Sequence, residues 1–111
     1  MLTVVETPEF VRRSEKIGLN DIDRTELIVS LASDPEQGMP LGGGLRKARV
    51  ARTGQGKSGG YRLLFFYRHP GLPLFLLTIF AKNEKANISV SERRQLIDLC
   101  ALIAREYEDA R

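Results

Sequence analysis

The stretch from residue 63 to residue 81 constrains the fold more than any other part of this chain. It is the most apolar segment of the sequence, yet Arg68, His69, Pro70 and Pro73 interrupt it. An uninterrupted membrane-spanning helix would not carry charges and prolines near its centre. We therefore interpret the segment as the apolar parts of two buried strands with a turn between them.

Three successive strands are predicted in the middle of the chain. They cover residues 45–51, residues 61–68 and residues 74–80, with a flexible glycine-rich hairpin connection over 53–60 and a turn at 70–73. Alternation in the first of them places Lys47 and Arg49 on one face and Ala48 and Val50 on the other. Residues 37–44, which end in three glycines, show no periodicity and predict a loop.

Helices are predicted on both sides of these strands in the sequence. A short strand over residues 2–5 precedes a helix that Thr7 caps and that runs from Pro8 to about Ile17. A second helix begins near residues 20–23, with Asp23 and Glu26 as a capping box, and ends at Asp34-Pro35. Its expected inward residues are Ile22, Leu27, Ile28 and Leu31.

A C-terminal helix completes the predicted order. Ser89 and Glu92 form a capping box before an apolar stripe of Leu96, Leu99, Cys100, Ile103 and Tyr107. The order βααβββα predicts a small α+β domain, an antiparallel sheet with the helices packed on one side.

Composition limits the size and the compartment of the protein. With 111 residues, 42% of them hydrophobic, the chain is expected to form a single domain over 1–111 with one core. The lone cysteine, Cys100, cannot form an internal disulfide and there is no signal-like opening segment, so we expect a cytoplasmic protein with a buried thiol. One histidine and one cysteine offer no metal-ligand cluster, and we expect no metal and no cofactor.

The charge is strongly segregated along the chain. Residues 1–36 hold four Lys/Arg and eight Asp/Glu, and residues 84–111 hold five and six. Residues 37–83 hold eight Lys/Arg and no acid, a net charge of +8 within a chain whose total is +3. Such segregation favours contact with a polyanion, although a solvated basic face is the alternative.

Three motifs resemble the RelE/ParE toxin superfamily, and the HigB-like branch in particular. They are Gly-Gly-Leu-Arg-Lys-Ala-Arg-Val at 43–50, Gly-Gln-Gly-Lys-Ser-Gly-Gly-Tyr-Arg at 54–62 and Phe-Ala-Lys-Asn-Glu at 80–84. The resemblance spans essentially the whole chain. It implies a type II toxin that cleaves messenger RNA in the ribosomal A site and is held inactive, in a hetero-oligomer, by a helix-turn-helix antitoxin.

The resemblance also implies which residues act on RNA. Lys47, Arg49 and Arg62 match active-site positions on the concave sheet face, and Lys82 follows the last strand, where the family carries further active-site groups. Without a metal, the 2′-hydroxyl attacks the adjacent phosphate, which requires a base, charge stabilisation and an acid. Repulsion among cations favours a neutral lysine, so Lys47 is the candidate base, while Arg49 and Arg62 hold the phosphate.

The sequence departs from the RelE pattern after Lys82. Asn83 stands where RelE carries an arginine, and Ile88 stands near the place of a base-stacking tyrosine. Glu84 is a possible base, but an ion pair with Lys82 or Lys85 is the commoner role for such an acid.

Further residues are candidate contacts to RNA or to the ribosome. These are Arg46, Arg52, Lys57, Tyr61 and Asn83. Phe65 and Tyr67, which alternate with Tyr61, are expected to fill the core. His69 could serve acid–base chemistry, but its place beside Pro70 predicts an exposed turn residue.

Two other functions remain open at this point. The first is a non-catalytic ParE-like toxin that binds DNA gyrase, and the second is a nucleic-acid-binding regulatory module. The clustered cations favour the ribonuclease, because a gyrase binder needs no phosphate site.

Overall fold

The structure is a computed structural model that describes residues 2–52, 56–85 and 87–109. The side chains of 52, 57, 58 and 109 are outside this description. The elements in chain order are β1 (Val4–Glu6), α1 (Pro8–Lys16), α2 (Asp21–Ser33), β2 (Met39–Gly42), β3 (Leu45–Arg52), β4 (Gly56–Phe66), β5 (Leu74–Ala81) and α3 (Val90–Asp109).

The strands form one sheet in the order β1-β5-β4-β3-β2. The pairs β2–β3, β3–β4 and β4–β5 are antiparallel, whereas β1 runs parallel to β5. The α+β class is therefore confirmed, with one more strand than predicted. The extra strand is β2, which the sequence analysis took for part of a loop. It was missed because its sequence, Met-Pro-Leu-Gly, contains a proline and has no β-branched residue.

The helices pack on both faces of the sheet, so the prediction that they share one side is wrong. Neighbouring residues of β4 point to opposite faces, and they belong to different core clusters. One cluster joins Leu63 and Phe65 to α1 and α2, and the other joins Leu64 and Phe66 to α3. The middle strands are apolar on both faces because each face carries a helix layer.

The starts of the helices confirm two of the three predicted caps. Thr7 Oγ1 accepts the Phe10 N–H at 3.2 Å, and Ser89 and Glu92 exchange two hydrogen bonds of 3.0 and 3.1 Å. The predicted box of Asp23 and Glu26 is wrong, because Asn20 caps α2 and its Oδ1 accepts the Asp23 N–H at 2.8 Å. The helix starts at Asp21, and Ile22, which was predicted to face inward, instead faces solvent and is 71% exposed.

The apolar stripe of α3 is only partly covered by the sheet. Cys100 is fully buried, whereas Leu99 and Tyr107 remain 39% and 41% exposed. The predicted burial of the Cys100 thiol is confirmed, and this burial raises its pKa to about 12, which disfavours the reactive thiolate. Among the described residues, no helix is both long enough and apolar enough to cross a membrane.

Candidate active site

Two adjacent strands bring the predicted cations together. Arg49 of β3 lies directly opposite Arg62 of β4, and Arg62 lies opposite Phe80 of β5. Lys47 is two residues before Arg49, so its side chain points to the same face of the sheet. The predicted shared face of Lys47, Arg49 and Arg62 is confirmed, and it is the face on which α3 packs. We call these three residues the cationic trio.

The trio lines an open depression of about 580 Å³. The other lining residues, Gln37, Gly38, Met39 and Ala48, belong to β3 or to the segment that enters β2. Met39 lies opposite Lys47 in the β2–β3 register and is 57% exposed. The depression therefore has a polar floor and an exposed apolar side chain at its rim.

The cations of the trio differ in their exposure to solvent. Arg62 is only 8% exposed, Lys47 is half-buried and Arg49 is exposed. A guanidinium N–H of Arg62 donates to the carbonyl oxygen of Tyr61 at 3.4 Å. In the part of the chain that the structure describes, none of the three forms an ion pair with a carboxylate. Buried arginines normally have anionic partners, so this arrangement suits a bound anion such as a phosphate.

Arg46, a predicted RNA contact, does not share the face of the cationic trio. Because it alternates with Lys47 along β3, it points to the opposite face. Its guanidinium donates to the carbonyl oxygens of Glu36, of Gln37 at 3.0 Å and of Gly38 at 3.4 Å. These hydrogen bonds hold the segment that forms one wall of the depression, so Arg46 stabilises the site from the opposite face of the sheet.

Tyr61 also lies away from the trio. It is 2% exposed and belongs to the core cluster beneath α1 and α2, on the face opposite Arg62. A base cannot stack on a ring buried in this way, so we leave Tyr61 out of the proposed site. Phe65 is fully buried in the same cluster and Tyr67 packs against it, as predicted.

Lys82 and Asn83 are in an exposed turn after β5. The backbone N–H of Lys82 donates to Gly60 O at 3.3 Å, which holds the turn beside the start of the Tyr61-Arg62 segment. Neither residue lines the depression. Arg52 and Lys57 belong to β3 and β4, and their side chains, like the hairpin tip at 53–55, are outside the described residues.

Glu84 is an ion-pair partner, although not of the lysines expected. Its carboxylate accepts hydrogen bonds from the Ala81 N–H at 2.9 Å and from the Arg13 guanidinium at 2.7 Å. These two donors lower the pKa of the Glu84 carboxyl, which makes it a poor base. His69 is exposed in the turn between β4 and β5, as predicted, where its Nδ1 accepts the Gly71 N–H at 3.0 Å.

One polar contact at the site was missed by the sequence analysis. The Lys47 ammonium donates to Oδ1 of Asn87 at 3.3 Å. Asn87 precedes α3 and is 40 residues from Lys47 along the chain. No spacing rule pairs a strand residue with a residue so distant in sequence, so only the folded structure reveals the contact.

A comparison with protein families decides the identity of the chain. The family model described as the RelE toxin of the RelE/RelB toxin–antitoxin system matches residues 3–110. The chain belongs to the RelE toxin family. As the toxin of a toxin–antitoxin system, it has an antitoxin as its partner. The resemblance seen in the three sequence motifs is thereby confirmed at the level of the RelE family.

Proposed function

We propose that this RelE toxin is a metal-independent endoribonuclease that cuts messenger RNA on the ribosome and so inhibits translation. The observation that carries the proposal is the cationic trio, which lines one depression without an acidic partner among the described residues. The two guanidinium groups, those of Arg49 and Arg62, match the charge of the dianionic transition state formed from a phosphodiester, and Lys47 beside them is a candidate base. The sequence motifs at 43–50, 54–62 and 80–84 support a HigB-like branch within the family.

The proposed reaction needs no group beyond side chains and the RNA itself. Lys47, in its neutral form, takes the proton from the 2′-hydroxyl, and the 2′-oxygen attacks the adjacent phosphorus. Arg62 and Arg49 stabilise the added negative charge on the phosphoryl oxygens. The bond from phosphorus to the 5′-oxygen breaks, and that oxygen takes a proton from an acid, for which Lys82 is the candidate. The products are a 2′,3′-cyclic phosphate and a 5′-hydroxyl end.

The ribosome supplies what the toxin surface lacks. The depression is open, and among its described lining residues Met39 alone offers an exposed large apolar side chain, so the site by itself fixes little of an RNA chain. Holding the 2′-hydroxyl in line with the departing oxygen contributes much of the rate of such a reaction. A message held in the A site would provide that alignment. Such a target places the toxin in the cytoplasm, with Arg52, Lys57 and Asn83 as candidate contacts to ribosomal RNA.

An in vitro translation reaction tests the proposal. Purified toxin is added to programmed ribosomes and, separately, to the same message without ribosomes, and the new RNA ends are mapped and chemically typed. We expect cuts in message only in the presence of ribosomes, with a 2′,3′-cyclic phosphate on one side of each cut and a 5′-hydroxyl on the other, as attack by the 2′-hydroxyl requires. DNA damage without RNA cuts would instead support a gyrase-binding toxin, and RNA binding without growth inhibition would support a regulatory module.

A further inference from the structure

The contact between Lys47 and Asn87 links the site to the segment between β5 and α3. Asn87 Oδ1 lies 3.3 Å from the Lys47 ammonium and also accepts the backbone N–H of Ile88 at 2.9 Å. The same oxygen therefore belongs both to the local turn and to the site. Its position follows from the backbone of the segment and not from the lysine.

Neighbouring contacts hold this segment in place. Lys85 forms an ion pair with Glu92 at 2.7 Å, and its ammonium lies 4.9 Å from the centre of the Phe80 ring. Glu92 in turn caps α3 with Ser89, and Ile88 packs against the core cluster beneath α3. Asn87 is thus presented to Lys47 from a segment anchored on both sides of it.

We propose that Asn87 is a positioning residue for Lys47, aiming the amine of this lysine at the 2′-hydroxyl of the RNA. The inference rests on the proposed function, in which Lys47 is the base. A carboxamide oxygen only accepts hydrogen bonds, so it takes one N–H of the amine and leaves the nitrogen lone pair free for the substrate proton. Because the carboxamide carries no net charge, it directs the amine without placing a negative charge beside it.

The charged surroundings make a neutral partner important. Arg49 and Arg62, both cationic, lie on the same sheet face as Lys47. The carboxylate of Glu92, at the start of α3, is already paired with Lys85. A carboxylate at position 87 would oppose the two arginines and keep Lys47 protonated.

The test measures, in three variants, how the rate of message cleavage on the ribosome depends on pH. Asn87→Asp keeps the acceptor for the Ile88 N–H and adds a negative charge beside Lys47. Gln95→Asp adds the same charge on an exposed part of α3, beside the groove that this helix forms with α1 and β5. Asn87→Ala removes the acceptor altogether. Thermal unfolding of each variant shows whether the fold is kept.

We expect Asn87→Asp to move the acidic limb of the profile to higher pH by about one unit, while Gln95→Asp leaves the limb in place. Asn87→Ala should lower kcat about three- to tenfold, the effect of one hydrogen bond, with little change in KM. The inference would be overturned if the acidic limb of the pH profile of Asn87→Asp coincided with that of the parent. It would also be overturned if Asn87→Ala changed KM and left kcat unaltered. If the parent itself cleaves no message, or if Lys47→Ala cleaves as well as the parent, the proposed function fails instead.

Discussion

Replacing Gly38 by alanine should damage the fold and the site together. Gly38 has φ +82°, a conformation that costs an L-residue about 1–2 kcal/mol. A Cβ at this position would lie 2.2 Å from the carbonyl oxygen of Lys47 and 3.2 Å from the Cβ of Ala48. Both neighbours belong to β3 and cannot rotate away, so the segment before β2 must move.

Gly18 provides a matched control for this substitution. It has φ +73°, and a Cβ there would meet nothing within 4 Å. Gly18→Ala therefore carries the backbone penalty alone, partly offset by about 0.4–1 kcal/mol from the lower entropy of the unfolded chain. Overpacking adds about 1–3 kcal/mol in Gly38→Ala, so that variant should be less stable than Gly18→Ala by this amount.

Urea denaturation followed by circular dichroism measures both free energies of unfolding, and thermal melts should differ by about 4–8 °C for each kcal/mol. Because Gly38 lines the depression, Gly38→Ala should also lose message cleavage under conditions where it is still folded. Equal stability of the two variants, or full cleavage by folded Gly38→Ala, would refute the close approach of this segment to Lys47.

Three further predictions concern single side chains. Arg62→Lys should remain folded yet cleave message about 100-fold more slowly than the parent, because a lysine cannot reproduce the forked donors of a buried arginine. His69→Ala, in the exposed turn, is the control and should cleave at the parent rate. The pKa of Glu84 is lowered in the folded protein, so its carboxylate stabilises the fold at pH values above the usual carboxyl pKa. This contribution is lost as the pH falls through the folded-state pKa. In urea titrations, Glu84→Gln should therefore lose less unfolding free energy on acidification than the parent. Cys100, buried and with its pKa raised to about 12, should react with a thiol reagent only as fast as the protein unfolds, and stoichiometric labelling of the native protein would contradict its burial.

Local patterns were sufficient to predict four of the five strands and the shared face of Lys47 and Arg49, whereas Arg62 was placed with them by the family resemblance. The alternation of residues 45–51 placed Lys47 and Arg49 correctly, and the Thr7 and Ser89 caps lie where the helix-start signals put them. These features depend on neighbouring residues only, and period-two alternation is a strong signal in a half-buried strand.

Some of the errors arose where contacts distant in sequence decide the structure, and others arose where a local pattern was not applied. Met39–Gly42 became a strand because β3 offered a free edge, not because of its own propensity. Arg46 and Tyr61 were taken as RNA contacts for their chemistry, although alternation with Lys47 and Arg62 already places them on the other face. Asn87 could not be found from the sequence, since its contact with Lys47 joins residues that are 40 positions apart in the chain.

The most direct test of the account maps RNA ends in a ribosome-programmed translation reaction for the parent toxin and for the Lys47→Ala, Arg49→Ala and Arg62→Ala variants. The account predicts cuts with 5′-hydroxyl ends by the parent, only when ribosomes are present, and a loss of these cuts in each folded variant. Unchanged cutting by the variants, or no cutting by a parent that still stops growth, would contradict the assignment of the cationic trio as the site of RNA cleavage.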